Sequence, residues 1–209
     1  MTALGLAAGE APGLRSYLER VVGLDARAAV RLQASGRVLG VWSGPPFQVV
    51  ALRPVALAAP TDLDVTVSAQ RLLERLTDAV DLSLAVPPAV PGPAWVGLLP
   101  PRSGWEEQGR TSVRQVRSAV TAAKAFFRQR AEGVTDRSRL DAIAADVWQR
   151  AVLAEVPVRC AHAAESLGLL GPDDAEVVAW AATGWLRLGC DGGSVAARRE
   201  LLPGLGLLF

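Results

Sequence analysis

The chain has 209 residues, is half hydrophobic and about a fifth charged, and carries a formal net charge of +1. That is enough apolar material for one generous core or two modest ones, which argues against disorder. No stretch approaches the roughly 18 to 20 uninterrupted apolar residues of a membrane span, and Met1 to Ala11 lacks the basic start of a secretory leader. A soluble cytoplasmic protein is expected, with Cys160 and Cys190 as reduced thiols. The sole histidine, His162, and the absence of a CxxC pair exclude the usual zinc sites, and no cofactor is expected.

Leu14, Tyr17, Leu18 and Val21 follow helical spacing behind Pro12, which predicts a short helix ending near Gly23. From Ala28 the period falls to two. Val30 and Leu32 alternate with Arg31 and Gln33, Ser35-Gly36 can turn, and Val38 to Trp42 continues as a second strand. Phe47 to Leu57 reads as a third strand, bulged or at an edge near Pro54. Leu63, Val65 and Val67 alternate ahead of Ser68, an N-cap for a helix carrying Leu72, Leu73 and Leu76, and Val80 to Val86 alternates again. Residues 1–86 therefore read as an α+β domain with a mainly antiparallel sheet.

Residues 87–110 hold six prolines, two tryptophans and four glycines. A connection this long is either a linker or a functional loop, and Trp95 and Trp105 argue against a solvated linker. Residues 111–209 read as mainly helical. Thr111 or Ser112 can cap a helix running to about Ala131, and Thr135 or Asp136 a second. Pro157 and Pro172 can each begin another, the last with Asp173, Asp174 and Glu176 in its first turn and its end at Gly184. Trp185–Leu188 and Ser194–Arg198 then form a hairpin. The apolar tail Leu205 to Phe209 is expected to pack on this chain or a second copy.

Helices followed by a hairpin resemble the order of a winged helix. The third helix of that reading is acidic where DNA-binding versions are basic, so a structural or protein-contacting use of the shape is expected.

Three places attract functional readings. The helix 112–131 carries Arg114, Arg117, Lys124 and Arg128 in a stripe beside its apolar face, and Arg110 to Arg139 hold eight basic against two acidic residues. The stripe could grip a polyanion such as nucleic acid, or simply be a solvated face paired with acidic neighbours. In the 102–110 loop, Arg102 and Arg110 could clamp an anion while Trp105 stacks on an organic group. Glu106 or Glu107 would then be the base if the loop were an enzyme's; the competing reading is a Trp105 that plugs the seam between the two halves. Cys160-Ala161-His162 cannot form a direct dyad, because neighbours two apart on a helix point about 200° apart; a buried thiol and an ordinary helix histidine are expected.

One Lys, one Ile, one Tyr and no Asn point to a high-GC coding genome. The stretches Leu99-Pro100-Pro101-Arg102-Ser103-Gly104-Trp105 and Trp185-Leu186-Arg187-Leu188 resemble those of uncharacterised conserved actinobacterial proteins. That resemblance implies a cytoplasmic location and supplies no catalytic residues. The expected function is a non-catalytic binding or regulatory protein acting through a protein partner, a small ligand or a second copy. Polyanion binding by the basic helix and a small-molecule enzyme at the 102–110 loop are the alternatives.

Overall fold

In the computed structural model, residues 3–77 and 83–199 are described. The first half runs β1 (Ala3–Gly5), α1 (Glu10–Leu24), β2 (Ala29–Ser35), β3 (Val38–Ser43), β4 (Val50–Ala56), β5 (Leu63–Ser68), α2 (Ala69–Thr77) and β6 (Ser83–Ala85). The second runs β7 (Glu106–Ser112), α3 (Val113–Ala131), α4 (Arg137–Trp148), β8 (Ala151–Leu153), β9 (Val156–Pro157), α5 (Val158–Ser166), β10 (Glu176–Ala182), β11 (Trp185–Cys190) and β12 (Gly193–Arg198).

An antiparallel sheet of eight strands, in the order β5-β2-β3-β4-β12-β11-β10-β7, joins the halves. Cross-strand register shows how one face became the core. The row Val67, Val30, Ser43, Ala51, Val195, Leu188, Ala179 and Gly109 crosses every strand, and all but Gly109 are buried. Because side chains alternate along a strand, these positions share one face, and helices α1, α2, α3 and α5 supply Leu14, Leu18, Leu72, Val116, Val120 and Ala164 to the same cluster. Tyr17 bonds Ser43 within it, hydroxyl to hydroxyl at 2.7 Å.

The junction between the halves is the narrowest ladder of this eight-stranded sheet, Ser194↔Leu52, Val195↔Ala51 and Ala196↔Val50. Pro54 lies beyond it, so its missing N–H costs no bond to β12. Local chemistry sets the helix starts. Gln115 N donates to Ser112 Oγ and Ser112 N to Gln115 Oε1, a capping box for α3, and Arg139 N donates to Asp136 Oδ1 at the start of α4.

The winged-helix-like order and the helical second half are overturned. Residues 176–182, expected in a helix from Pro172, form β10, with Val177 and Ala179 buried and Val178 and Trp180 facing the other side. Pro172 and the acids after it belong to a turn in which Ala175 N donates to the Pro172 carbonyl. The terminal hairpin is no free wing, since β12 pairs with β4. Part of the 102–110 loop is also strand, as Glu106–Ser112 pair with β10. The tail Leu205–Phe209 lies outside the described residues, as do Val80 and Leu82. Among the described residues no helix is long and apolar enough to cross a membrane.

Candidate functional site

The sheet's second face carries the distinctive chemistry. Following register, Val50, Ala196, Arg187, Trp180 and Glu107 form one row on it, and Leu52, Trp42 and Arg31 lie on the same side. The Pro-rich segment 87–105 crosses this face. Arg31 Nη1 donates to the Val96 carbonyl at 2.6 Å, and the Trp95 ring lies so close over Gly44 that a Cβ there would sit 2.6 Å from it. Trp105 fixes itself by donating Nε1–H to the Pro101 carbonyl at 2.9 Å. Trp42, Trp95, Leu99 and Trp105 pack around buried Val50, Trp185 and Ala196. Trp105 is thus mostly buried, at the seam where β4 meets β12.

Arg187 is the central charge. Its guanidinium lies 4.1 Å from the centroid of Trp105 and 5.5 Å from that of Trp180. It makes no ion pair or hydrogen bond among the described residues, and burial lowers its pKa. Arg198 covers Trp185 at 4.9 Å. Beside them a cavity of about 280 Å³ is lined by Pro45, Val50, Trp95, Leu98 and Trp185, and Leu98 is 52% exposed. The arrangement offers flat apolar shelves and a partly desolvated cation, which suits an anionic group on an apolar body.

The residues expected from the 102–110 loop do not converge. Arg102 is exposed on the far side of the face, near Asp64, whose carboxyl is held low first by Arg31 donating at 2.7 Å. Arg110 pairs with Glu107 and Glu176 at 2.5 and 2.7 Å, and Glu107 raises its pKa. Glu106 is exposed at the start of edge strand β7. The cation over Trp105 is Arg187, which comes from a different strand and was expected only as part of a hairpin.

On α3 half of the stripe is neutralised from within. Arg117 pairs with Asp173 at 3.2 Å and also donates to the Gly171 carbonyl, and Lys124 pairs with Glu165 at 2.6 Å. Arg114 and Arg128 are exposed, and their side chains have no such partner among the described residues.

Cys160 is fully buried and Cys190 partly so, and burial pushes both thiols up to about 12 from 9.0. Both are protonated at neutral pH, so a thiol reagent should react with native protein far more slowly than with protein in urea. Equal rates would contradict the packing. Among the described residues no group of three or more His, Cys, Asp or Glu side chains is arranged to hold a metal.

Residues 1–97 match the family described as Domain of unknown function (DUF8010), and residues 100–202 the one described as Domain of unknown function (DUF8185). This agrees with the resemblance to uncharacterised proteins. No curated protein matches the chain. In fold it is similar to the DNA polymerase sliding clamp of Caulobacter crescentus (TM-score 0.59, 12% identity, 98% of this chain and 67% of that one). It is likewise similar to the sliding clamp of Pseudomonas aeruginosa (0.52, 14%, 93% and 64%) and the DNA polymerase III subunit beta of Borrelia burgdorferi (0.57, 10%, 95% and 64%). The chain therefore spans less than two thirds of the Pseudomonas clamp's length. The fold is clamp-like α+β with a large antiparallel sheet, which replaces the winged-helix comparison.

Proposed function

We propose that this chain is a non-catalytic binding scaffold that captures a protein partner on the outer face of its sheet, at the seam of the two halves. The observation that carries this reading is Arg187, a half-buried guanidinium between Trp105 and Trp180 with no anionic partner among the described residues. Holding a cation partly out of water without a counter-charge costs stability, so the site is suited to a partner that supplies one. The adjoining Pro45–Trp95–Leu98–Trp185 cavity would take an apolar side chain next to that carboxylate. Selection from a random peptide library should enrich an Asp or Glu close to a bulky apolar residue. Enrichment of basic peptides, or of none, would count against the reading.

A second reading, polyanion binding, draws support from exposed Arg114 and Arg128 and from fold neighbours that are DNA polymerase clamps. Because Arg117 and Lys124 are engaged by Asp173 and Glu165, reversing Arg114 and Arg128 to Glu should weaken heparin retention more than reversing the paired two. The difference should shrink as salt rises, since screening removes the Coulomb term. Wild-type protein that passes through heparin at low salt would end this reading.

A further inference from the structure

The chain passes from Arg199 into ten residues of which six are Leu or Phe and only Glu200 is charged. Their point of departure is fixed. Arg199 N donates to the Gly184 carbonyl at 3.0 Å, and the Arg199 guanidinium pairs with Glu155 at 2.6 Å. Arg198, which closes β12, lines the outer-face cavity with its guanidinium over Trp185. Residue 200 therefore follows within two positions of the cavity wall.

That cavity is apolar and open. Among the described residues Val38 and Leu98 are the large apolar side chains left more than half exposed, at 54% and 52%, and Leu98 stands on its rim. Its Trp95 wall is held in place, because the ring sits over Gly44 where a Cβ would collide with it. At about 280 Å³ the space is just below the range of organic-ligand pockets, about 300–1,000 Å³, and suits one or two side chains.

Sequence spacing brings the tail back to it. Pro203-Gly204 suits the two central positions of a type II turn, Pro by setting φ and Gly by supplying the left-handed residue. Residues 200–202 precede that turn, so an extended return from Leu205 brings Leu207 level with Glu200 and Phe209 level with Arg198. Leu205, Leu207 and Phe209 then share one side, since side chains alternate along an extended chain.

We propose that residues 205–209 fold back and fill the outer-face cavity of their own chain, with Leu207 and Phe209 against Trp95, Leu98 and Trp185. The proposal rests on the partner reading for its consequence: the tail takes the place of the partner's apolar side chain, so a partner must displace it. Arg187 is not among the cavity's lining residues, and residues 205–209 carry no charged side chain. A partner's carboxylate at Arg187 is then the contact that the tail lacks, and it favours the exchange.

Thiol reactivity in the full chain reads the occupant. In Leu98→Cys protein the new thiol should react with an aromatic disulfide reagent at least about tenfold faster once Leu207→Asp and Phe209→Asp are added, because burial of two large side chains holds the cavity shut. The protection should be the same from about 1 to 100 µM protein, as a contact within one chain requires. Ser118→Cys, exposed on α3, should react alike with either tail. Should Leu98→Cys not fold, Arg198→Cys on the exposed opposite wall carries the same comparison. Equal rates with either tail would overturn the proposal, and so would protection that fades on dilution, which assigns the tail to a second copy. A library-selected acidic, apolar peptide should bind the Leu207→Asp/Phe209→Asp chain about tenfold more tightly than wild type. Equal affinity for the two chains would remove the tail and leave the partner site standing. A protected thiol at position 98 with no peptide binding to either chain would support the tail and sink the partner reading alone.

Discussion

Gly193→Ala is expected to lower stability by about 3 kcal/mol or more, at the upper end for one added methyl group. Gly193 opens β12 at φ 148°, and a Cβ there would sit 2.1 Å from the Leu52 carbonyl oxygen. That oxygen belongs to strand β4, so the backbones of the two halves must part to relieve the clash. The joining ladder has only three residue pairs to lose. Gly192 nearby is also hemmed in, since a Cβ there would sit 3.0 Å from the Leu169 carbonyl oxygen, and its own carbonyl accepts a bond from Arg53 at 3.2 Å. Little give is available on either side. Urea unfolding followed by tryptophan fluorescence should show a lower midpoint, and a transition split in two would mean that the halves had uncoupled. An unchanged midpoint would show that the junction does not hold the halves together.

Much of the first half was legible in the sequence because its strands are half-buried. Val30 and Leu32 against Arg31 and Gln33 alternate cleanly, and β2 is where that alternation places it. Helix starts were equally plain at Ser112 and Asp136, where a side-chain oxygen meets the first orphan N–H groups. Strand β10 was not. Pro172 followed by three acids is the usual signature of a helix start, and the alternation of Val177 and Ala179 with Val178 and Trp180 is weak in hydropathy because both faces are apolar. It is apolar on both faces because one meets the core and the other meets Arg187. Strand β7 was hidden for the opposite reason. Its Glu-Glu-Gln-Gly-Arg-Thr-Ser is polar throughout, as suits an exposed sheet edge that must not recruit another strand.

The site was legible by half. A tryptophan in a Pro-rich segment was a fair sign of a seam, and Trp105 lies there. Its cation could not be found from proximity in the chain, because Arg187 reaches Trp105 only through the β10–β11 register and the path of the 87–105 segment. A long-range pairing of this kind leaves no local pattern. A row of rings, Phe127, Trp148, His162 and Phe47, was invisible for the same reason, being assembled from four separate segments.

The largest functional effect is expected at Arg187. Replacing it with Gln keeps a polar, planar end group but removes the charge and the stacking on Trp105 and Trp180, each cation–π contact being worth about 0.5–2 kcal/mol. Far-UV circular dichroism should stay close to wild type, since the residue lies outside the core. Calorimetric titration of a library-selected acidic, apolar peptide into wild-type and Arg187→Gln protein tests the outer-face site most directly. The expected result is affinity at least about tenfold weaker, roughly 1.4 kcal/mol, in the variant, with Arg114→Glu/Arg128→Glu protein binding like wild type. Equal affinity in wild type and Arg187→Gln would contradict it.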